Sequence, residues 1–174
     1  MSNMLRTNFH NEVVTPIPSD IDPKFVIGVL HDHGFLITLS PIVTGHEIKE
    51  RNLETGWIIY TVHEIVNVLP FGLWQKPTTF QVHFKDKEDG TISFIEAGAG
   101  VKSEANYTVR RSGEGQASLW IIDEQIESSC SIFLKWIVQS NMLPVRTKMH
   151  QQILEKLRER LQDGTQPASN TNHS

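Results

Sequence analysis

The sequence predicts an α+β domain that combines a seven-stranded antiparallel sheet with a long C-terminal helix and two short helices. Three observations support this fold class. Residues 42–127 contain segments in which apolar and polar residues alternate, and turn signals separate these segments. Residues 131–162 show helical periodicity instead. A pattern typical of a helix start lies near Pro23.

Alternation and β-branched residues define the predicted strands. They cover residues 5–17, 42–51, 56–68, 78–85, 91–97, 105–110 and 117–127. Hairpin signals occur at Asp89-Gly90 and over residues 112–115. An unusually apolar loop is predicted over residues 69–77. The last six strands therefore form a meander, and the first strand has to find its partner later in the chain.

Two short helices are predicted between the first and second strands. The first begins at Pro23, with Ser19 or Asp22 as its N-cap. Gly34 is expected to interrupt it, and a second helical turn is expected over residues 35–39.

The long C-terminal helix is predicted over residues 131–162. Pro144 lies inside it and is expected to kink the helix or to divide it. The polar residues 163–174 are predicted to form a disordered tail.

Composition excludes several classes of protein. The chain has 174 residues, of which 39% are hydrophobic, so one domain with a real core is expected and disorder of its body is excluded. Sixteen basic and twenty acidic residues are mixed along the sequence, which argues against a nucleic-acid partner. No secretory signal or membrane span is recognisable, and a single cysteine fits a reducing compartment, so cytoplasmic location is expected.

Several stretches of the sequence resemble a known superfamily. They are HNEVVTPIPSD, LSPIVTGHEI, YTVHEIVNVLPFGLW, FKDKEDGTISFIEAGAGV and WIIDEQIESSCSIFLKWIV. Together with the order of the elements, they resemble the START-like superfamily of helix-grip folds. That superfamily includes lipid-transfer domains, pollen-allergen-type ligand carriers and polyketide cyclase/aromatases. Within this superfamily, the sequence resembles a fungal branch of small proteins.

The resemblance implies a single START-like ligand-binding domain over residues 5–162. In this fold a curved sheet grips the long helix, and a cavity between them binds an apolar or amphipathic small molecule. Physical reasoning agrees, because a curved sheet packed on one helix leaves space unless its inward side chains are large. Gly98 and Gly100 would allow a sharp bend in the sheet.

The more apolar phase of each strand is expected to face the helix and to form the cavity wall. The predicted ligand-binding residues on the strands are Tyr60, Val62, Phe80, Phe94, Trp120, Ile122 and Glu124. The helix is expected to add Phe133, Trp136 and Ser140. The opposite phase would instead turn Trp57, Thr61 and His63 inward.

Acidic and phenolic groups in such a wall are candidates for catalysis. Burial would raise the pKa of Glu64, Glu96 or Glu124 and make the carboxyl group a general acid or base near neutral pH. Tyr60 or Tyr107 could donate a hydrogen bond to a carbonyl or enolate. Glu64, Glu96 and Tyr107 are the predicted catalytic residues. The alternative is that each glutamate faces solvent and each tyrosine belongs to the core.

Metal, thiol and cofactor chemistry are not predicted. His31-Asp32-His33 resembles a ligand set, but no spacing provides a third converging ligand. His150 shares a helical stripe with apolar residues and is expected near a pocket mouth, at the surface or in the core. Cys130 is either activated by a helix N-terminus or buried and inert. The nucleotide-binding and nucleophile-elbow motifs are missing, so no cofactor is expected.

Three functions remain open from the sequence. The leading hypothesis is a cofactor-free protein that binds a hydrophobic small molecule and promotes its cyclisation or isomerisation, as relatives in polyketide and terpenoid pathways do. A pericyclic ring closure would suit a site with so few polar groups. The alternatives are a non-catalytic carrier of a lipid or sterol, and a partner-binding module with a filled core. The sequence does not indicate the oligomeric state.

Overall fold

The computed structural model describes residues 6–67, 75–97, 100–113 and 119–162. Its elements are β1 (Arg6–Pro16), α1 (Pro23–Leu30), α2 (His33–Thr38), β2 (Val43–Arg51), β3 (Trp57–Asn67), β4 (Gln75–Lys87), β5 (Gly90–Ala97), β6 (Val101–Arg111), β7 (Trp120–Ser131) and α3 (Lys135–Gln162). The predicted fold class is confirmed. The predicted tail, most of the predicted apolar loop, and Gly98 lie outside the described residues.

The seven strands form one curved antiparallel sheet in the order β1-β7-β6-β5-β4-β3-β2. Strands β2 to β7 are a meander in which every strand pairs with the next one along the chain. β1 pairs with β7 along its whole length, from Arg6 opposite Ser131 to Pro16 opposite Ile121. The first strand therefore finds its partner at the end of the meander.

Aspartate side chains begin both short helices. Asp22 caps α1 by accepting a hydrogen bond from the backbone N–H of Lys24, so the structure selects Asp22 over Ser19. Asp32 caps α2 by accepting from the N–H of Phe35. The break between the helices therefore falls before Asp32. Gly34 lies inside α2, so the prediction that it interrupts the first helix was wrong.

The long helix α3 is a single element that contains Pro144. The expected division at this proline does not occur. The helix also begins later than predicted, because β7 extends through Ser131 and a turn follows it. Within the described residues, no helix is long and apolar enough to cross a membrane.

Both α1 and the second half of α3 contribute fully buried residues to the core. Val26, Val29 and Leu30 of α1 are fully buried, as are Ile153 and Leu157 of α3. Their removal from water is the main source of stability at this end of the domain. The first half of α3 is much more exposed, so the helix is anchored mainly through its second half.

Gly90 and Gly100 have conformational roles at the starts of β5 and β6. Gly90 begins β5, and a Cβ atom at this position would overlap the backbone carbonyl of Tyr107 on the neighbouring strand. Gly100 has a φ of 72°, in the left-handed region that favours glycine, immediately before β6. Its carbonyl accepts a hydrogen bond from the Arg6 guanidinium at 2.8 Å.

Candidate functional site

A cavity of about 210 Å³ lies between the inner face of the sheet, α2 and α3. Its apolar walls are Leu36, Ile37, Val43, Val62, Phe80, Val82, Phe84, Ile95, Val145 and Met149. Four polar residues also line it, and they are Ser40, Ser93, Tyr107 and Arg146. A broader depression of about 900 Å³, between α1 and the β4–β5 turn, opens to solvent and has charged residues at its rim. The smaller cavity is therefore the better candidate for binding an apolar molecule.

A buried polar cluster forms one wall of this cavity. Arg146 donates a hydrogen bond from Nη1 to the Tyr107 hydroxyl at 2.8 Å, and the same Nη1 lies 3.1 Å from Glu124 Oε1. His150 Nε2 lies 3.2 Å from Glu124 Oε2. Glu124 and His150 are completely buried, and Arg146 keeps 13% of its side chain exposed. These four residues are called the polar cluster below.

Strand register and helix periodicity bring the polar cluster together. Tyr107 on β6 is directly opposite Glu124 on β7, so both side chains point to the same face of the sheet. Arg146 and His150 are four residues apart on α3 and therefore share one helical face. Thr15 on β1 fixes the histidine, because its hydroxyl lies 2.9 Å from His150 Nδ1.

The environment of Glu124 acts on its pKa in two directions. Burial alone would raise the pKa, because it disfavours the charged carboxylate. Arg146, His150 and Tyr107 together outweigh this effect, and the net pKa is lowered. Glu124 is therefore ionised at neutral pH. The raised pKa expected for a buried glutamate is not found at this position.

Tyr107 and Arg146 keep their ordinary protonation states. Burial, followed by the nearby Glu124 charge, raises the pKa of Tyr107, so its hydroxyl stays protonated. Burial alone would lower the pKa of Arg146. Tyr107 and Glu124 raise this pKa by more than burial lowers it, so the net pKa is raised and the guanidinium stays charged. The cavity is therefore lined by a neutral phenol and a cation whose charge is balanced by the carboxylate behind it.

Several predicted residues lie at or near the cavity. Val62, Phe80 and Tyr107 line it. Glu124 lies directly behind Tyr107 and Arg146 as part of the polar cluster. Tyr60 and Ile122 are buried in the surrounding core, where Tyr60 meets the rings of His33 and Phe84 edge-on.

The phase predicted for β5 differs from the structure by one residue. Ser93 and Ile95 line the cavity, whereas Phe94 lies on the opposite face with its ring centroid 5.9 Å from that of His83. Glu96 is exposed and forms an ion pair with Lys102 at 2.9 Å. The smaller side chain of Ser93 faces the cavity, so apolarity alone was a misleading guide to the phase of this strand.

The remaining predicted residues are not part of the described cavity lining. Glu64 is half-buried and accepts a hydrogen bond from the Thr78 hydroxyl at 2.9 Å. Trp120 lines the open surface depression, with the Arg111 guanidinium 5.0 Å from its ring centroid. Phe133 and Trp136 are 79% and 78% exposed, and Ser140 is exposed as well. The part of α3 that reaches the cavity lies further along, between Val145 and Met149.

Arg146 is the functional candidate that the sequence did not reveal. The periodicity of the helix places residues 146 and 150 together with Ile153 and Leu157 on the inward side, but the sequence-based prediction of this stripe included only the apolar residues and His150. A basic residue on an otherwise apolar helical stripe was the available clue.

The histidines of the His31-Asp32-His33 motif have structural partners. His31 Nε2 lies 3.0 Å and 2.9 Å from the carbonyl oxygens of Lys87 and Gly90, so it attaches the end of α1 to the β4–β5 turn. His33 Nε2 lies 2.8 Å from Asp86 Oδ1, and its ring stacks on Phe84. The described part of the chain contains no group of three or more residues arranged to hold a metal ion.

Comparison with solved structures identifies the fold. The aromatase/cyclase Zhui of Streptomyces sp. R1128 matches with a TM-score of 0.58 and 13% identity, covering 90% of this chain and 96% of that one. A point mutant of norcoclaurine synthase of Thalictrum flavum with a bound transition-state analogue matches with a TM-score of 0.57 and 17% identity. The match covers 92% of this chain and 99% of that one. Ara h 8.0201 matches with a TM-score of 0.55 and 14% identity, and the match covers 86% of this chain and 99% of that one. These likenesses establish a START-like helix-grip fold.

No curated protein sequence gives a significant match to the chain. A family model described as "Domain of unknown function (DUF7053)" matches residues 5–159. Since this match covers most of the chain, the protein belongs to the DUF7053 family, with a START-like helix-grip fold.

Proposed function

We propose that this protein binds a hydrophobic small molecule in the 210 Å³ cavity and promotes its cyclisation or isomerisation without a cofactor. The observation that carries the proposal is the pairing of Arg146 with Tyr107 at the polar wall of an otherwise apolar cavity. Hydrogen-bond donors held rigidly in an apolar site stabilise negative charge that develops on a substrate oxygen. The structural relatives named as a cyclase and a synthase are consistent with this chemistry.

Shape would supply the other part of catalysis. Apolar walls that hold a flexible chain in a folded conformer remove rotational freedom before the reaction begins. Neither Glu64 nor Glu96 lines the cavity, so the proposal assigns them no catalytic role. A pericyclic ring closure needs no proton transfer and suits this lining. The association with fungal secondary metabolism, and the cytoplasmic location, rest on the sequence alone and remain proposals.

A small diketone tests the catalytic proposal. Heptane-2,6-dione cyclises by intramolecular aldol condensation: one methyl carbon loses a proton to solvent base and attacks the distant carbonyl, and water leaves to give 3-methylcyclohex-2-enone. We expect the wild-type protein to accelerate the appearance of the enone. Tyr107→Phe should lower the rate about tenfold or more, because it loosens the donors that stabilise the enolate.

Tyr60→Phe is the matched control, because Tyr60 is the other of the two tyrosines and is buried outside the cavity lining. Its rate should equal that of the wild type. Equal losses in the two variants would contradict the proposal. Calorimetric binding of the diketone without any acceleration would support the second candidate function, a non-catalytic carrier.

That second candidate is favoured by one specific observation. Among the described lining residues the cavity has no carboxylate or histidine that could act as a base, and Glu124 behind the wall has a lowered pKa. A carrier needs only complementary shape and one polar contact. Both candidate functions therefore use the same cavity, and the rate measurement distinguishes between them.

A further inference from the structure

Arg146 is the one charged residue in the described lining of the cavity, and its charge is already balanced. Its Nη1 lies 3.1 Å from Glu124 Oε1, and Glu124 is ionised. The arginine and the glutamate therefore form a neutral pair at the cavity wall. His150, the remaining titratable group that faces Glu124, donates from Nε2 to Oε2, contacts the Thr15 hydroxyl through Nδ1 and does not line the cavity.

The guanidinium nevertheless keeps hydrogen-bonding capacity for a bound molecule. Within the described residues, its contacts with Tyr107 and Glu124 both use Nη1, and none uses Nη2. A guanidinium carries five N–H donors in a fixed plane, so donors remain on the side of Nη2. Because Arg146 lines the cavity, those donors are available to an oxygen atom of the ligand.

The charge balance decides which kind of oxygen fits. An anionic ligand would lose its hydration on entering the apolar cavity and would meet a cation that Glu124 already neutralises. A neutral carbonyl oxygen takes the same N–H donors with a much smaller loss of hydration. The cavity volume of about 210 Å³ limits the size of the ligand portion that the site encloses.

We infer that the ligand carries a neutral carbonyl group, as in a ketone, ester, lactone or amide, whose oxygen accepts a hydrogen bond from Arg146. This inference rests on the proposed function and narrows it to one substrate class. Free fatty acids and other carboxylates are excluded as preferred ligands. The apolar walls receive the hydrocarbon part of the molecule.

The experiment compares two probes of the same size that differ in charge. Octanamide and octanoate have the same chain length and the same number of non-hydrogen atoms, and octanoate is ionised at neutral pH. Isothermal titration calorimetry with the full chain should show that octanamide binds at least tenfold more tightly than octanoate. 2-Nonanone, which is a neutral ketone, should bind like octanamide.

Glu124→Gln provides a reversal test. This isosteric change removes the negative charge behind the wall and leaves Arg146 as an unbalanced cation. The ratio of the octanamide affinity to the octanoate affinity should then fall by at least tenfold. Asp123→Asn is the matched control, because Asp123 is the neighbouring carboxylate on β7, binds Arg110 at 2.7 Å and does not line the cavity. It should leave the preference unchanged.

Each outcome is decisive. Octanoate binding as tightly as octanamide to the wild type would overturn the inference and leave small-molecule binding intact. Failure of all three probes to bind would overturn the proposed function together with the inference. An unchanged preference in a folded Glu124→Gln variant would overturn the charge-balance explanation. If that variant does not fold, the comparison of the two probes on the wild type decides.

Discussion

At the scale of single residues, Glu124 shows how neighbours determine the chemistry of a buried group. Its side chain is completely buried, yet its carboxylate is ionised because Arg146 and His150 lie 3.1 Å and 3.2 Å from its two oxygens. Removing one partner of such a pair leaves the other as an uncompensated buried charge. Arg146 therefore serves stability as well as binding.

Replacing Arg146 should lower the stability of the folded protein. We expect Arg146→Met to lower the free energy of unfolding by about 3–5 kcal/mol, measured by urea denaturation, because it removes the guanidinium that balances the buried Glu124 charge. Lys102→Met is the control, since both side chains of its ion pair with Glu96 are exposed, at 44% and 56%. The loss there should be about 0–1 kcal/mol. Similar losses in the two variants would show that Glu124 is not held by Arg146.

The lowered pKa of Glu124 also predicts a dependence of stability on pH. A carboxyl group whose pKa is lower in the folded than in the unfolded chain stabilises the fold above its ordinary value, here 4.5. That contribution is lost as the pH falls through the folded-state pKa. The difference in unfolding free energy between the wild type and Glu124→Gln should therefore be largest near neutral pH and shrink in acid.

Urea denaturation at a series of pH values measures this difference. Asp123→Asn again serves as the comparison on the same strand. A difference between the wild type and Glu124→Gln that stays constant down to acidic pH would contradict the assignment of an ionised, paired Glu124.

At the scale of elements, two parts of α3 have different structural roles. The second half packs against α1 through Ile153 and Leu157 and anchors the helix. The middle of the helix, from Val145 to Met149, closes the cavity over the sheet. A single helix thus joins the solid end of the domain to its hollow part.

The start of β5 is a second critical element, because Tyr107 of the polar cluster lies on the adjacent strand. Gly90→Ala should lower the unfolding free energy by about 1–3 kcal/mol, since the new methyl group would overlap the Tyr107 carbonyl oxygen. Thermal or urea denaturation measures the loss.

Gly28→Ala provides the control in α1. A Cβ atom there has no neighbour within 4 Å, and the position is helical, so the change should stabilise the protein by about 0.5–1 kcal/mol. If Gly90→Ala were equally harmless, the close approach of β5 to β6 would not be a constraint.

At the scale of the whole molecule, the domain is solid at one end and hollow at the other. Val29 of α1 has no exposed surface, whereas Ser93 of β5 faces the cavity. A larger side chain should therefore be tolerated at one of these positions and not at the other.

Ser93→Leu should occupy part of the cavity. We expect it to abolish calorimetric binding of 2-nonanone while the unfolding free energy stays the same or rises by about 1 kcal/mol, because apolar surface is buried in existing space. Val29→Leu should instead cost about 1–3 kcal/mol through overpacking. Equal destabilisation of the two variants would contradict a hollow interior.

The sequence determined the order and type of the elements. Alternating segments, the Pro23 helix start and the helical stripe after residue 131 are local patterns, and each depends on neighbouring residues in the chain. The closeness of Val62, Phe80 and Tyr107 to the interior followed from the same patterns, because two of these strands are clearly more apolar on one face.

Only the tertiary structure decided the site itself. The polar cluster joins β6, β7 and α3, whose residues are far apart in sequence, so no local spacing could indicate that Arg146 meets Tyr107 and Glu124. The phase of β5 was undetermined for a related reason, since both of its faces carry apolar residues and only pairing with β4 and β6 selects one. The ionised state of Glu124 likewise depends on which charges the fold brings to it, because burial alone would favour the protonated form.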